Sequence, residues 1–123
     1  MNLHESGENY LETILILMKR NGEVRSIDIA NELNYTKASV SKAMKQLREN
    51  GYATVDKHGL ISFTEKGKKR AERIYERHQL LSDFFVSLGV DKETATDDAC
   101  KIEHIISEKT FQKIKAHNEK LED

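Results

Sequence analysis

The first apolar repeat in the chain, Leu11, Ile14, Leu15 and Met18, follows the i, i+3, i+4, i+7 spacing of one helix face. It predicts a helix from about Ser6 to Asn21-Gly22, where glycine suits the left-handed position after a helix end. Asn9 and Glu12 fall on the other side together with Ile16, an apolar residue that implies packing on both sides. Ser26 is expected to cap a short second helix carrying Ile29, Ala30 and Leu33, and Asn34-Tyr35 to turn the chain. Thr36 then caps a third helix to Asn50, with Val40, Met44 and Leu47 inward. Gly51 stops it, and residues 52–55 and 60–63 read as strands around the turn Asp56-Lys57-His58-Gly59. Helix, helix-turn-helix and hairpin, in that order, form a winged helix-turn-helix.

From Thr64 the helical period returns, with Ala71, Ile74, Tyr75, His78, Leu81 and Phe85 in one stripe that runs to Leu88-Gly89. Asp91 is expected to cap a fifth helix, and residues 108–121 to form a sixth. The predicted fold class is mainly α: an N-terminal winged helix-turn-helix with a small β-hairpin wing, followed by an all-helical domain. The expected division is residues 1–70 for DNA binding and 71–123 for the helical domain. Absence of proline suits such long helices.

At 123 residues, 37% hydrophobic and 33% charged, the chain can fold but has few apolar residues per helix. Part of its core is therefore expected to be completed by a partner chain. The stripe of Ile74, Leu81, Phe84, Phe85 and Leu88 points to a dimer joined through the fourth to sixth helices. The longest apolar run, from Ile14 to Met18, is too short to cross a membrane, and no signal peptide is expected. A single cysteine excludes an internal disulfide and suits a reducing, cytoplasmic location.

Net charge is −1, yet its distribution is uneven. Eleven Lys and Arg face five Asp and Glu between Thr36 and Arg77, whereas acids exceed bases from His78 onward. A basic middle fits a DNA-facing module. In the third helix Thr36, Lys37, Ala38, Ser39, Lys42 and Lys45 are the candidates for major-groove contact. Short polar groups permit close approach, and lysines supply salt-sensitive phosphate contacts. Lys57 at the wing tip is placed to reach a neighbouring phosphate.

The chain's sole cysteine opens Cys100-Lys101-Ile102-Glu103-His104, inside an expected helix. There i, i+3 and i+4 share a face, so thiolate, carboxylate and imidazole gather on one side, extending to Ser107. Ala95, Ala99, Ile102 and Ile106 are expected to face the core from the opposite side. Thiolate and imidazole suit iron, cobalt, nickel and zinc, while carboxylate oxygen suits manganese. Two other readings stand beside a metal sensor. One is a metal-independent winged-helix dimer of the multidrug-regulator kind, in which this face is incidental. The other is a metalloenzyme with an open coordination position. No further acid–base pair, phosphate-binding glycine loop or nucleophile motif supports an enzyme.

Several stretches carry a resemblance: Glu8-Asn9-Tyr10-Leu11-Glu12-Thr13-Ile14, Asp28-Ile29-Ala30, Ser39-Val40-Ser41-Lys42, Thr64-Glu65-Lys66-Gly67, Arg77-His78-Gln79-Leu80-Leu81 and Asp98-Ala99-Cys100-Lys101-Ile102-Glu103-His104. In these, from Glu8 to about Ser107, the chain resembles the metal-dependent repressors of the diphtheria toxin repressor and manganese transport regulator group. The last stretch is the most specific. The resemblance implies a homodimer that binds double-stranded operator DNA when loaded with metal, its first helix facing ligands in the dimerisation half. Cys100, Glu103 and His104 match the iron-type motif, whereas Glu12 and His78 match manganese-type positions. Asn9 stands where both types place a stronger ligand. Ser82 and Thr96 replace Glu and His of a second, ancillary site, and the C-terminal SH3-like domain of longer members is absent. The implied metal is iron(II) or manganese(II), with cobalt(II), nickel(II) or zinc(II) able to bind in vitro, and no organic cofactor is implied.

Overall fold

The opening apolar repeat forms α1 (Glu5–Asn21) in the computed structural model, which describes residues 5–122. Residues 1–4 and 123, at the two ends of the expected domains, lie outside that range. Leu11, Ile14, Leu15 and Leu17 are buried, and Met18 is only half-buried, so Leu17 takes the place expected for Met18. Glu12 and Thr13 are buried too, which closes the side of the helix where Ile16 had broken the polar pattern. The Thr13 hydroxyl donates to the Asn9 carbonyl at 2.8 Å, keeping its polar atom satisfied. Gly22, at φ +83°, ends the helix as expected.

In α2 (Ser26–Leu33) the cap is shifted by one residue from the expectation. Arg25 is the capping position, and its amide donates to the Asp28 carboxylate at 2.8 Å. An acid three residues into the helix thus does the work expected of Ser26. Asn34 takes the left-handed conformation and turns the chain into α3 (Lys37–Glu49). Thr36 caps α3, its hydroxyl accepting from the Ser39 amide at 3.1 Å. The three helices pack on one another around Ile14, Ile29, Val40, Met44 and Leu47.

The wing is an antiparallel pair, β1 (Ala53–Val55) and β2 (Ile61–Phe63), registered Ala53↔Phe63, Thr54↔Ser62 and Val55↔Ile61. It is shorter than the spacing predicts because the outer residues have other partners. Tyr52 donates to Leu47 of α3 and accepts from Thr64, while the Leu60 amide donates to the Asp56 carboxylate. Ile61 also donates to the Val24 carbonyl, which ties the wing to the start of the helix-turn-helix.

Three helices complete the chain: α4 (Glu65–Ser87), α5 (Lys92–Ile102) and α6 (Glu108–Glu122). The protein divides into two compact units between Glu72 and Arg73, inside α4. The second unit buries Ile74, Leu81, Ala95, Ala99 and Phe111. Phe84 and Phe85 stay half-buried, and Val86 and Leu88 are exposed. The fold is a mainly α protein with an N-terminal winged helix-turn-helix and a helical second half.

Gly67 explains why α4 begins as it does. A Cβ there would stand 1.8 Å from the Tyr52 carbonyl oxygen, which already accepts from the Thr64 amide. On an open helix, Gly→Ala stabilises by about 1 kcal/mol. Here the clash is with backbone, so Gly67→Ala is expected to destabilise by about 2 kcal/mol or more. Urea unfolding would show this as a lower midpoint; a raised midpoint would mean that the wing does not rest on α4 in this way.

Candidate metal centre and DNA-facing surface

The Cys-Glu-His run departs from the expected continuous helix. Ile102 is the last residue of α5, and Glu103 is its C-cap, with helical dihedrals and an amide still donating to the Ala99 carbonyl. His104 lies in the turn that follows. Ser107 does not extend this face. Its hydroxyl accepts from the Thr110 amide at 3.1 Å and so caps α6. The expected inward stripe is also corrected. Ala95 and Ala99 are fully buried, Ile102 and Ile106 only half-buried, and Glu103 is 1% exposed. Glu103 lies four residues after Ala99 and therefore shares its inward face.

Glu103 is held between two imidazoles. His78 of α4 places Nδ1 2.8 Å from one carboxylate oxygen, and His104 places Nε2 3.3 Å from the other. The His104 side chain is 2% exposed and that of His78 15%. Burying a carboxylate is costly unless opposite charge or strong donors compensate. Two ring nitrogens and a carboxylate in a dry setting suit a divalent first-row transition metal, so the residues fit such an ion. Of the other predicted ligands, Cys100 is a free, half-buried thiol on α5, one turn before Glu103. In the N-terminal unit Glu12 is buried and Asn9 half-buried, both on α1.

A residue that sequence reading missed supports the same turn. Arg77, 8% exposed, donates through Nη1 to the carbonyls of Glu103 (3.1 Å) and Ile106 (3.0 Å). Its Nη2 donates to the Glu108 carboxylate at 2.7 Å, and the guanidinium lies 5.2 Å from the Phe111 ring centroid. Gln112 and Arg73 also donate to Glu108. These donors, Gln112 first and then Arg77, hold the Glu108 carboxyl down at about 2. In the sequence Arg77 counts only as the last charge of the basic stretch; its position three residues after Ile74 and four before Leu81 is the available signal.

On the other unit, Thr36, Lys37, Ala38, Ser39, Lys42 and Lys45 are all exposed along α3, as is Lys57 at the wing turn. The Thr36 hydroxyl donates to the Ser39 hydroxyl at 2.9 Å, so the two act together at the positive end of α3. Asp56 accepts from His58 and Leu60 and, with Gly59 at φ +81°, fixes the turn that presents Lys57. Those two amides, Leu60 the stronger, lower the Asp56 pKa. A cleft of about 370 Å³ beside α3 is lined by Tyr10, Asn34, Tyr35, Thr36 and Ser39. Tyr10 and Tyr35 meet edge to face at 6.0 Å.

Residues 2–60 match the N-terminal DNA-binding domain of the iron-dependent repressors, and residues 64–123 match their metal-binding and dimerisation domain. The chain belongs to that repressor family. Its members are DNA-binding transcriptional repressors, not enzymes. An uncharacterised helix-turn-helix transcriptional regulator of Methanocaldococcus jannaschii is 33% identical over 98% of both chains. The helix-turn-helix transcriptional regulator MntR of Bacillus pumilus is 37% identical over 89% of this chain and 76% of its own. Among solved structures, a manganese-dependent transcriptional repressor in complex with manganese superposes with a TM-score of 0.81 at 26% identity. That match covers 90% of this chain and 51% of the other, so the chain spans about half the length of that repressor.

The depressed Glu108 pKa has a definite pH signature for this repressor-family chain. A carboxyl lowered from 4.5 to about 2 contributes stability above 4.5 that is lost as pH falls towards about 2. Glu108→Gln is therefore expected to lower the thermal midpoint at neutral pH, with the gap to the parent closing below pH 4.5. A gap that stays constant from pH 7 to pH 2.5 would show that Glu108 is not held by these donors.

Proposed function

We propose that this protein is a cytoplasmic, metal-responsive transcriptional repressor that binds operator DNA as a homodimer when loaded with iron(II) or manganese(II). The observation that carries the reading is the buried His78–Glu103–His104 cluster, in a chain whose other unit is a winged helix-turn-helix. Glu103, His104 and His78 are the central ligands, Cys100 and Glu12 complete the set by their match to the family pattern, and Asn9 offers an amide oxygen where the family places a stronger ligand. A bound divalent ion would supply positive charge to the buried Glu103 carboxylate and a fixed geometry to its donors. A metal-responsive repressor requires loading and DNA binding to be interdependent. Operator occupancy must then tighten metal binding by the same factor by which metal tightens operator binding.

Thr36, Lys37, Ala38, Ser39, Lys42 and Lys45 would face the major groove, with Lys57 on a flanking phosphate. Paired half-sites roughly 34 Å apart, or a multiple of that, require a second copy of the chain. The exposed Val86, Leu88 and Ile105 of the helical unit support such a partner. No helix among the described residues is long and apolar enough to cross a membrane.

Operator binding titrated anaerobically with iron(II), manganese(II), cobalt(II) and zinc(II) tests the proposal directly. Glu103→Gln and His104→Ala are expected to remove the metal stimulation. If both variants respond like the parent, the protein is a winged-helix regulator of another kind. Cys100→Glu exchanges soft sulfur for hard oxygen and should move the response towards manganese. Lys42→Ala should weaken operator binding and reduce the salt slope by about one, whereas an unchanged slope would remove Lys42 from the DNA contact set.

A further inference from the structure

We infer that Arg77 is a positioning residue of the metal centre: its guanidinium fixes the backbone of the turn after α5, so that Glu103 and His104 are held ready opposite His78. The inference rests on the proposed ligand role of Glu103 and His104, and it names a residue that touches neither the metal nor DNA.

The geometry is specific. Glu103 caps α5 and Ile106 lies in the turn before α6, where carbonyls lack the regular helical partner and need another donor. Arg77 supplies that donor to both from one nitrogen, across 26 and 29 residues of sequence. Its second nitrogen is anchored by Glu108, the first residue of α6, which Arg73 and Gln112 hold in place. The planar fork thus spans two carbonyls of the α5–α6 turn and α6's first side chain. On α4 the next residue, His78, meets the side chain of the same Glu103 at 2.8 Å. Adjacent residues of one rigid helix therefore hold Glu103 by its backbone and by its carboxylate.

That double hold matters for a metal ligand. A ligand set works when its members are kept within about 0.5 Å and 10–20° of the productive geometry. Glu103 and His104 sit on a turn whose backbone is closed from Ile105 and Ile106 onto the Ile102 carbonyl, and Arg77 adds the hold on the Glu103 carbonyl itself. Lysine carries the same charge but offers it from a single point, so it cannot reach both carbonyls and Glu108 in one plane.

The test uses the full chain and cobalt(II), whose visible absorption reports ligand geometry. Arg77→Lys, Arg77→Met and Glu108→Gln are compared with the parent and with Glu103→Gln for cobalt affinity, absorption spectrum and metal-free helicity. The expected result is a 10- to 100-fold loss of cobalt affinity and an altered spectrum in both Arg77 variants at a temperature where metal-free helicity equals the parent's. Glu108→Gln should show a smaller loss in the same direction, and it carries the test alone if the Arg77 variants do not fold. A merely structural Arg77 would lower the melting temperature and leave affinity and spectrum unchanged in the folded protein. Unchanged affinity and spectrum in every folded variant, with Glu103→Gln losing metal, would overturn the positioning role and leave the ligand reading intact. If Glu103→Gln binds cobalt like the parent, the ligand reading itself fails and the inference falls with it.

Discussion

Placing the Glu103 carboxylate in a nearly solvent-free position sets the terms for the C-terminal unit. An ion taken out of water loses several kcal/mol even after relaxation, and the surroundings must return it. Two imidazoles flank the side chain and a buried guanidinium takes the backbone carbonyl. Apolar packing alone asks for none of this; Leu or Met at position 103 would fill the space beneath Ala95 and Ala99 more cheaply. Retaining a carboxylate there makes sense when something positive is to be bound, and the family to which the chain belongs has its metal-binding domain in this half.

The N-terminal unit follows a different logic, in which backbone contacts come first and side chains are left for a partner. Thr36 caps the head of α3 through the Ser39 amide and donates to the Ser39 hydroxyl, Asn34 sets the turn before it, and Val24 and Tyr52 tie the wing to the helices. Gly67 lets α4 start against the Tyr52 carbonyl. With its shape fixed from within, α3 keeps Lys37, Lys42 and Lys45 in solvent. Lys45 lies 4.0 Å from Glu49, an exposed and therefore weak pair that a phosphate contact could replace.

Most of the element order was legible because it depends on local rules. Glycines at 22, 51, 59 and 89 all take positive φ at the ends the pattern marked, and Thr36 and Asp91 cap as read. The departures in burial have one cause. A helical wheel assigns one face to water and one to protein, so charged residues are placed outside. Glu12, Arg77 and Glu103 are buried instead, because each has an environment that periodicity does not encode. Arg77 was invisible as a structural residue since its acceptors are two carbonyls and an acid far along the chain. The sequence pattern sets Glu103 opposite a stripe that includes Ile102 and Ile106, whereas its i−4 neighbour Ala99 is the more deeply buried guide. Ser107 looked like an extension of the ligand face until α6 claimed it as a cap.

The same burial pattern bears on how one metal would be chosen over another. Affinity of nitrogen and oxygen donors rises from manganese through iron and cobalt to copper, so the His78–Glu103–His104 set by itself favours the later metals. A protein that is to respond to an early metal must gain discrimination from donor hardness, ligand number and geometry. Hardness differs most at Cys100, a half-buried thiol one turn before Glu103 that can offer soft sulfur. Geometry depends on the turn to whose carbonyls Arg77 donates, because that turn carries Glu103 and His104. On the proposed ligand set, then, the thiol shifts the choice towards softer metals while the guanidinium acts on geometry, and neither effect can be read from the ligand motif alone.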